Sequence, residues 1–260
     1  MTTNPHSWPA GVPCWADLMV ADPAAVKPFY ESVFGWTFTE PDEQFGGYML
    51  AKIDGKAAAG LGAMGEATRA AWTMYFASDD AAAAAAAVRA GDGVLFREPD
   101  EVGPLGTMFV ATDPTGAVFG VWQAGNFIGS EVTNGPGGLV WEDLRSSDPD
   151  TARAFYGSVF GFDYEALDMA SDDYRTFALA GDGQPRGGMG GMMGADSGTS
   201  HWLLYFGVAD VAAAIAAATA NGGAAPIPPF ETPYGTMAGL TDPAGATIYV
   251  VQMPAESAQQ

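Results

Sequence analysis

The sequence is poor in the residues that most often carry covalent or metal chemistry. Among 260 residues there are one cysteine and two histidines. A lone Cys14 excludes an intrachain disulfide and any multi-cysteine metal site, and it reads as a small buried apolar residue. His6 and His201 match no serine, nor Cys14, at a spacing that suggests a nucleophile and its base. Positive charge is also scarce, with 10 Lys+Arg against 31 Asp+Glu and a formal charge of −21. Such a field repels phosphate backbones and anionic membranes, so neither nucleic acid nor membrane is an expected partner. No segment approaches the ~18 uncharged apolar residues of a membrane span. The first eleven residues lack the basic start and apolar run of a signal peptide and read as a loose tail. A soluble, cytoplasmic protein is expected, as a monomer or homodimer.

What the sequence does contain is a repeat. Trp15-Ala16-Asp17-Leu18, Asp22-Pro23, Phe29-Tyr30 and Val33-Phe34-Gly35 return as Trp141-Glu142-Asp143-Leu144, Asp148-Pro149, Phe155-Tyr156 and Val159-Phe160-Gly161, every pair 126 residues apart. Gly106-Thr107-Met108 and Thr112-Asp113-Pro114 return as Gly235-Thr236-Met237 and Thr241-Asp242-Pro243, 129 apart. A repeat this long is a duplicated domain, each copy large enough to close its own core. The expected units are 12–123 and 138–254, joined by a Gly-, Asn- and Pro-rich linker over 124–137.

Each copy reads as a strand, a helix and three strands, twice over. In the first, Cys14–Val20 is a strand and Asp22 caps a helix with Pro23 at its first position. Val26, Phe29, Tyr30 and Val33 form one apolar helical face, Pro28 is expected to kink it, and Gly35 ends it. Ala81–Ala87 predicts a helix reaching about Ala90 that lies close to its sheet, with Val211–Ala220 its counterpart. Gly187-Gly188-Met189-Gly190-Gly191 lacks the strand–turn–helix context of a phosphate loop and reads as a loop or bulge, with Gly60 and Gly62 its shorter equivalent. Met189, Met192 and Met193 read as mobile walls or filler.

The fourfold strand–helix–three-strand order, with D-P-x-x-A-x-x-F-Y-x-x-V-F-G and D-P-x-G, resembles the glyoxalase / bleomycin-resistance / extradiol-dioxygenase superfamily, the vicinal oxygen chelate (VOC) fold. P-C-W-x-D-L-M-V-x-D-P looks like a two-domain actinobacterial subgroup labelled as hydroxylases or glyoxalase-like antigens. The resemblance implies an α+β tandem duplication in which four βαβββ modules pair into two cup-shaped mixed sheets, each with a small-molecule ligand in its cup. Metal-dependent members place His, Gln or Glu in fixed strand slots. Those slots fall here on Trp15 and Trp141, Gly120 and Tyr249, and near Thr73 and Leu203, none of which supplies a metal-binding side chain. No cofactor and no metal ligand is therefore expected. A displaced site using His201 with Asp143 has too few ligands.

Strand alternation sends Cys14, Ala16, Leu18 and Val20 toward a helix and Trp15, Asp17 and Met19 toward the ligand side. The second copy puts Trp141, Asp143 and Arg145 there and leaves Glu142 awkwardly on the helix side. Tyr75, Met108 and Trp122 extend the first lining, and Tyr205, Met237 and Tyr249 the second, with Phe230 and Tyr234 as a lid on the loop 226–234. Trp, Tyr and Met with a few acids suit a flat aromatic ligand, although the same residues can simply fill the cups as core. Asp17 and Asp143 are either acid–base or orienting carboxylates or acceptors for indole and backbone N–H groups; their retention in both copies favours structure. Two functions follow. One is metal-independent binding of an aromatic metabolite or antibiotic, for resistance or as a biosynthetic accessory. The other is a hydroxylase, lyase or isomerase of the same fold.

Overall fold

The computed structural model describes residues 1–65, 69–167, 173–193 and 198–254. The first half contains β1 (Pro13–Val20), α1 (Pro23–Phe34), β2 (Thr37–Phe38), β3 (Met49–Ile53), β4 (Lys56–Ala63), β5 (Ala71–Ala77), α2 (Ala81–Ala90), β6 (Val94–Leu95), β7 (Gly106–Thr112) and β8 (Val118–Ala124). The second repeats it with β9 (Leu139–Ser146), α3 (Pro149–Phe160), β10 (Phe162–Ala166), β11 (Arg175–Leu179), β12 (Gly187–Gly191), β13 (His201–Gly207), α4 (Val211–Ala220), β14 (Ala224–Thr232), β15 (Gly235–Thr241) and β16 (Thr247–Gln252).

The two sheets have the same order, β2-β3-β4-β1-β5-β8-β7-β6 and β10-β11-β12-β9-β13-β16-β15-β14. Two modules meet in each where β1 runs antiparallel to β5, and β9 to β13. The outer strands of each module reach the centre through parallel pairs, β1 with β4 and β5 with β8. This mixed, doubled α+β architecture is the one expected. Among the described residues no helix is long and apolar enough to cross a membrane.

Local chemistry accounts for the helices. Asp22 accepts from Ala24 N at 2.9 Å, and Asp148 from Thr151 N at 3.1 Å. Gly35 and Gly161 close the helices in the left-handed region at φ 69° and 71°. The helix α1 continues through Pro28. Alanine dominates α2, whose buried face is Ala81, Ala85 and Val88.

The halves do not close separate cores. The apolar helical faces meet, α1 against α4 and α2 against α3, and one buried cluster runs through both sheets. Phe34 lies 5.2 Å from Phe206, Phe76 5.8 Å from Tyr156, and Phe119 5.9 Å from Phe155, ring centre to ring centre. The Phe-Tyr and Asp-Pro-x-Gly motifs meet here as well. Tyr30 Oη donates to Asp242 Oδ2 at 2.9 Å and accepts from Trp72 Nε1 at 3.1 Å. Correspondingly, Trp202 Nε1 donates to Tyr156 Oη at 3.0 Å, and burial with the Asp113 charge pushes that hydroxyl well above the usual phenol range. The repeated motifs thus stitch one half to the other.

Other expectations are corrected. The N-terminal segment is not a loose tail: Thr2–Thr3 pairs with Val132–Thr133, and Trp8 Nε1 donates to Ser130 O at 3.1 Å. Pro13 pairs with Phe76 and Trp15 with Tyr75, so Cys14 is the extra residue of a bulge. It joins the cup-side cluster with Trp15 rather than the helix side. The glycine run 187–191 is a central strand, not a loop. Met189 is core, whereas Met193 is exposed. The segment around Phe230 is the edge strand β14, where Pro226, Pro228 and Pro229 are tolerated because one side of the strand has no partner.

Candidate functional site

On the face of each sheet away from the helices, the conformational demands of the middle strands put a carboxylate at the centre. Asp17 on β1 faces Gly60 of β4 and Thr73 of β5. Tyr48 Oη donates to Asp17 Oδ2 at 3.0 Å and accepts from Trp15 Nε1 at 3.0 Å. Tyr75 Oη reaches both carboxylate oxygens, at 3.3 and 3.2 Å. Burial pushes the Asp17 carboxyl up to about 6, against the hydrogen bonds from Tyr48 and Tyr75 that favour its charged form. Burial and the neighbouring Asp17 charge push both tyrosines well above the usual phenol range.

The second half builds the same cluster and adds a cation. Asp143 Oδ1 accepts from Trp141 Nε1 at 2.9 Å and Tyr174 Oη at 2.7 Å. Its Oδ2 accepts from Tyr205 Oη at 3.0 Å and Arg145 Nη2 at 2.6 Å. Four donors fill the roughly four lone-pair positions of a carboxylate, so Asp143 organises the site and has no free position for a ligand proton. The Arg145 guanidinium lies 5.4 Å from the centre of the Tyr174 ring. Burial acts to lower its pKa, but Asp143 and Tyr205 outweigh this and raise it. Glu142 lies on the core side with Leu144. Burial, and then the Asp143 charge, push it well above the usual carboxylate range.

Glycine makes room for these clusters. A Cβ on Gly60 would lie 1.8 Å from Tyr48 Oη, and one on Gly188 would lie 1.9 Å from Tyr174 Oη. Gly120 likewise admits the Tyr75 ring at 2.1 Å.

Trp15, Tyr75, Met108 and Trp122 come together in the first cup, and Trp141, Tyr205, Met237 and Tyr249 in the second. Phe230 and Tyr234 stand outside the second cluster, 40% and 56% exposed. His201 faces Arg145 across the strands, with Nδ1 2.9 Å from Thr199 O. Asp143, the expected partner of His201 in a displaced metal site, has its carboxylate occupied by four donors. Four residues escaped the sequence reading. Tyr48 and Tyr174 are 126 apart, so the repeat offset alone would have flagged them as a pair. Trp8 and Phe127 had no such signal, since neither has a counterpart in the repeat. Phe127 packs edge-on to Trp15 at 4.9 Å and to Trp122 at 5.9 Å, closing the first cup from the linker.

A family model described as "Glyoxalase/Bleomycin resistance protein/Dioxygenase superfamily" matches residues 15–121 and 138–250. The chain belongs to this superfamily. CFP32 of Mycobacterium tuberculosis, provisionally named a glyoxylase, is 36% identical over 252 residues, covering 94% of this chain and 95% of that one. The anthracycline biosynthesis protein DauV of Streptomyces sp. (strain C5) is 34% identical over 259 residues, covering 94% of each. Among solved structures, the Mn(II)-bound glyoxalase of Novosphingobium aromaticivorans superposes with a TM-score of 0.67 at 18% identity, covering 94% of this chain and 82% of that one. The 2,3-dioxygenase LapB of Pseudomonas sp. KL28 gives 0.63 at 18% identity, covering 94% and 93%. At these identities the structures establish the VOC fold alone.

The superposed glyoxalase holds Mn(II), and whether this chain could hold such an ion depends on its donors. Trp15, Tyr75 and Gly120 lie in register across the first cup, and Trp141, Tyr205 and Tyr249 across the second. Indole, phenol and glycine do not suit a divalent ion. Among the described residues no three His, Cys, Asp or Glu side chains gather in a metal-binding group. The donors at these positions do not fit the metal of the superfamily's enzymes.

Proposed function

We propose that this chain binds a small planar aromatic compound in a VOC-fold cup without a resident metal, as a resistance or biosynthetic accessory protein of the cytoplasm. The units 12–123 and 138–254, joined by 124–137, are read as its two duplicated cups. The observation that carries the reading is the doubled Asp–Tyr–Tyr–Trp cluster at the centre of each sheet. It replaces metal ligands by an aromatic floor whose polar atoms are tied to one carboxylate, leaving π-faces as the main surface on offer. The similarity to an anthracycline biosynthesis protein supports an aromatic ligand.

Asp17 favours a second reading, an enzyme using this carboxyl as a proton donor or acceptor, because burial brings it up to about 6 beside two phenols. Against it stands the closure of that cup by Phe127. Titration of the full chain with polycyclic aromatic probes, followed by tryptophan fluorescence and by chromatography of the recovered probe, separates the two. Saturable quenching that survives a chelator, with the probe recovered unchanged, is expected. Binding that depends on stoichiometric metal would overturn the proposal, and a converted probe would favour the enzyme.

A further inference from the structure

The two cups share a plan but differ in what closes them and in one charge. In the first, Trp8 and Phe127 pack onto the aromatic cluster from outside the sheet. What stays open there is a rim cavity of ≈ 150 Å³ between the N-terminal segment and Trp122, lined also by Ser78, Asp79 and Gln123 and reaching neither Trp15 nor Tyr75. In the second, among the described residues, no ring corresponding to Phe127 packs on Trp141, which is only half-buried where Trp15 is sealed.

The charge is Arg145, which stands where the first half has Met19. Its side chain is 9% exposed. It is held by Asp143 and by the Tyr174 ring, yet its Nε has no hydrogen-bond partner among the described residues. A buried donor left unmade is costly and calls for an acceptor. Asp143 cannot be what the ligand meets, since its four positions are taken. The site therefore lacks a ligand acceptor, not a ligand donor.

Charge balance narrows the acceptor further. Asp143 and Arg145 cancel, and the whole chain carries −21. A carboxylate entering this cup would add an uncompensated buried charge, whereas a neutral oxygen would not. The paired Tyr205 and Tyr249 rings, 4.9 Å apart, offer the flanking aromatic surface.

We propose that the second cup is the ligand site and that Arg145 is its specificity-determining residue, selecting an aromatic compound that presents a neutral carbonyl oxygen to Nε. This rests on the aromatic-binding reading above and names its ligand class. The first cup is closed by its own chain and takes no ligand of this size.

Calorimetric titration of the full chain with 2-acetylnaphthalene, 2-ethylnaphthalene and 2-naphthoate tests it, since the three have nearly the same shape. The ketone is expected to bind at one site per chain, about tenfold more tightly than the hydrocarbon, the scale of one hydrogen bond from a charged donor. The carboxylate is expected to bind no more tightly than the hydrocarbon. Arg145→Lys keeps a cation for Asp143 while removing Nε, so the fold survives and the ketone preference should fall below about threefold. Equal affinity for ketone and hydrocarbon, tightest binding of the carboxylate, two sites per chain, or an unchanged preference in Arg145→Lys would each overturn the proposal. Those outcomes leave aromatic binding intact, whereas no binding of any of the three would overturn both.

Discussion

At the scale of single residues, the two aspartates do different work in nearly the same seat. Asp143 is charge-compensated by Arg145, and Asp17 is not. Because burial raises Asp17 from 3.8 to about 6, the folded state holds its proton where the unfolded chain has released it. Its contribution is fully present below about pH 4 and is lost as pH rises through about 6, a change on the order of 3 kcal/mol. Asp17→Asn should therefore flatten the fall in stability between pH 4 and 6, measured as the difference between mutant and wild-type urea midpoints. A parallel fall in both proteins would exclude Asp17 as its source. Asp143→Ala should destabilise by about 3–5 kcal/mol, since it strands a buried guanidinium, and urea unfolding at neutral pH measures this. Both aspartates were legible in the sequence as repeated, cup-facing acids. The expected acceptor role for an indole N–H appears at Asp143, which takes it from Trp141; what the first strand could not show is that Tyr48 and Tyr174 reach the two carboxylates from outside it.

At the scale of elements, strand alternation placed Trp15, Asp17, Trp141 and Asp143 on the cup side correctly. It failed at Cys14, where a bulge changes the register without any mark in the sequence. The glycine run 187–191 was misread for a related reason. Glycine in a strand weakens it unless something approaches closely, and the approaching tyrosine was not visible from the chain alone. Gly188→Ala is thus expected to cost about 1–3 kcal/mol by overpacking against Tyr174. The cost should shrink in Tyr174→Ala, which removes both the hydroxyl and the ring carbon Cζ, 1.9 and 2.3 Å from the added carbon. A double-mutant cycle on thermal unfolding reads this coupling, and strict additivity would contradict the packing role of the glycine.

At the scale of the whole molecule, duplication was plain in the sequence, and apolar spacings of three and four, caps and alanine runs were enough to place the helices. Periodicity could not say which surface those faces would meet. They meet each other, so that each half completes the core of the other, and Tyr30 of the first half donates to Asp242 of the second. Tyr30→Phe leaves Asp242 and Trp72 without that hydroxyl and should cost about 1–3 kcal/mol. Because the core is shared, calorimetry should still show one cooperative transition; two separate transitions would mean that the halves fold independently.

The shared core also holds two cups that have diverged, one closed from the linker and one carrying Arg145. Hydrogen exchange on the full chain, with and without saturating 2-acetylnaphthalene, compares them in a single experiment. Protection confined to 139–146 and 201–207 is predicted. Protection of 13–20 and 71–77 instead, or in equal measure, would contradict a second cup that alone receives the ligand.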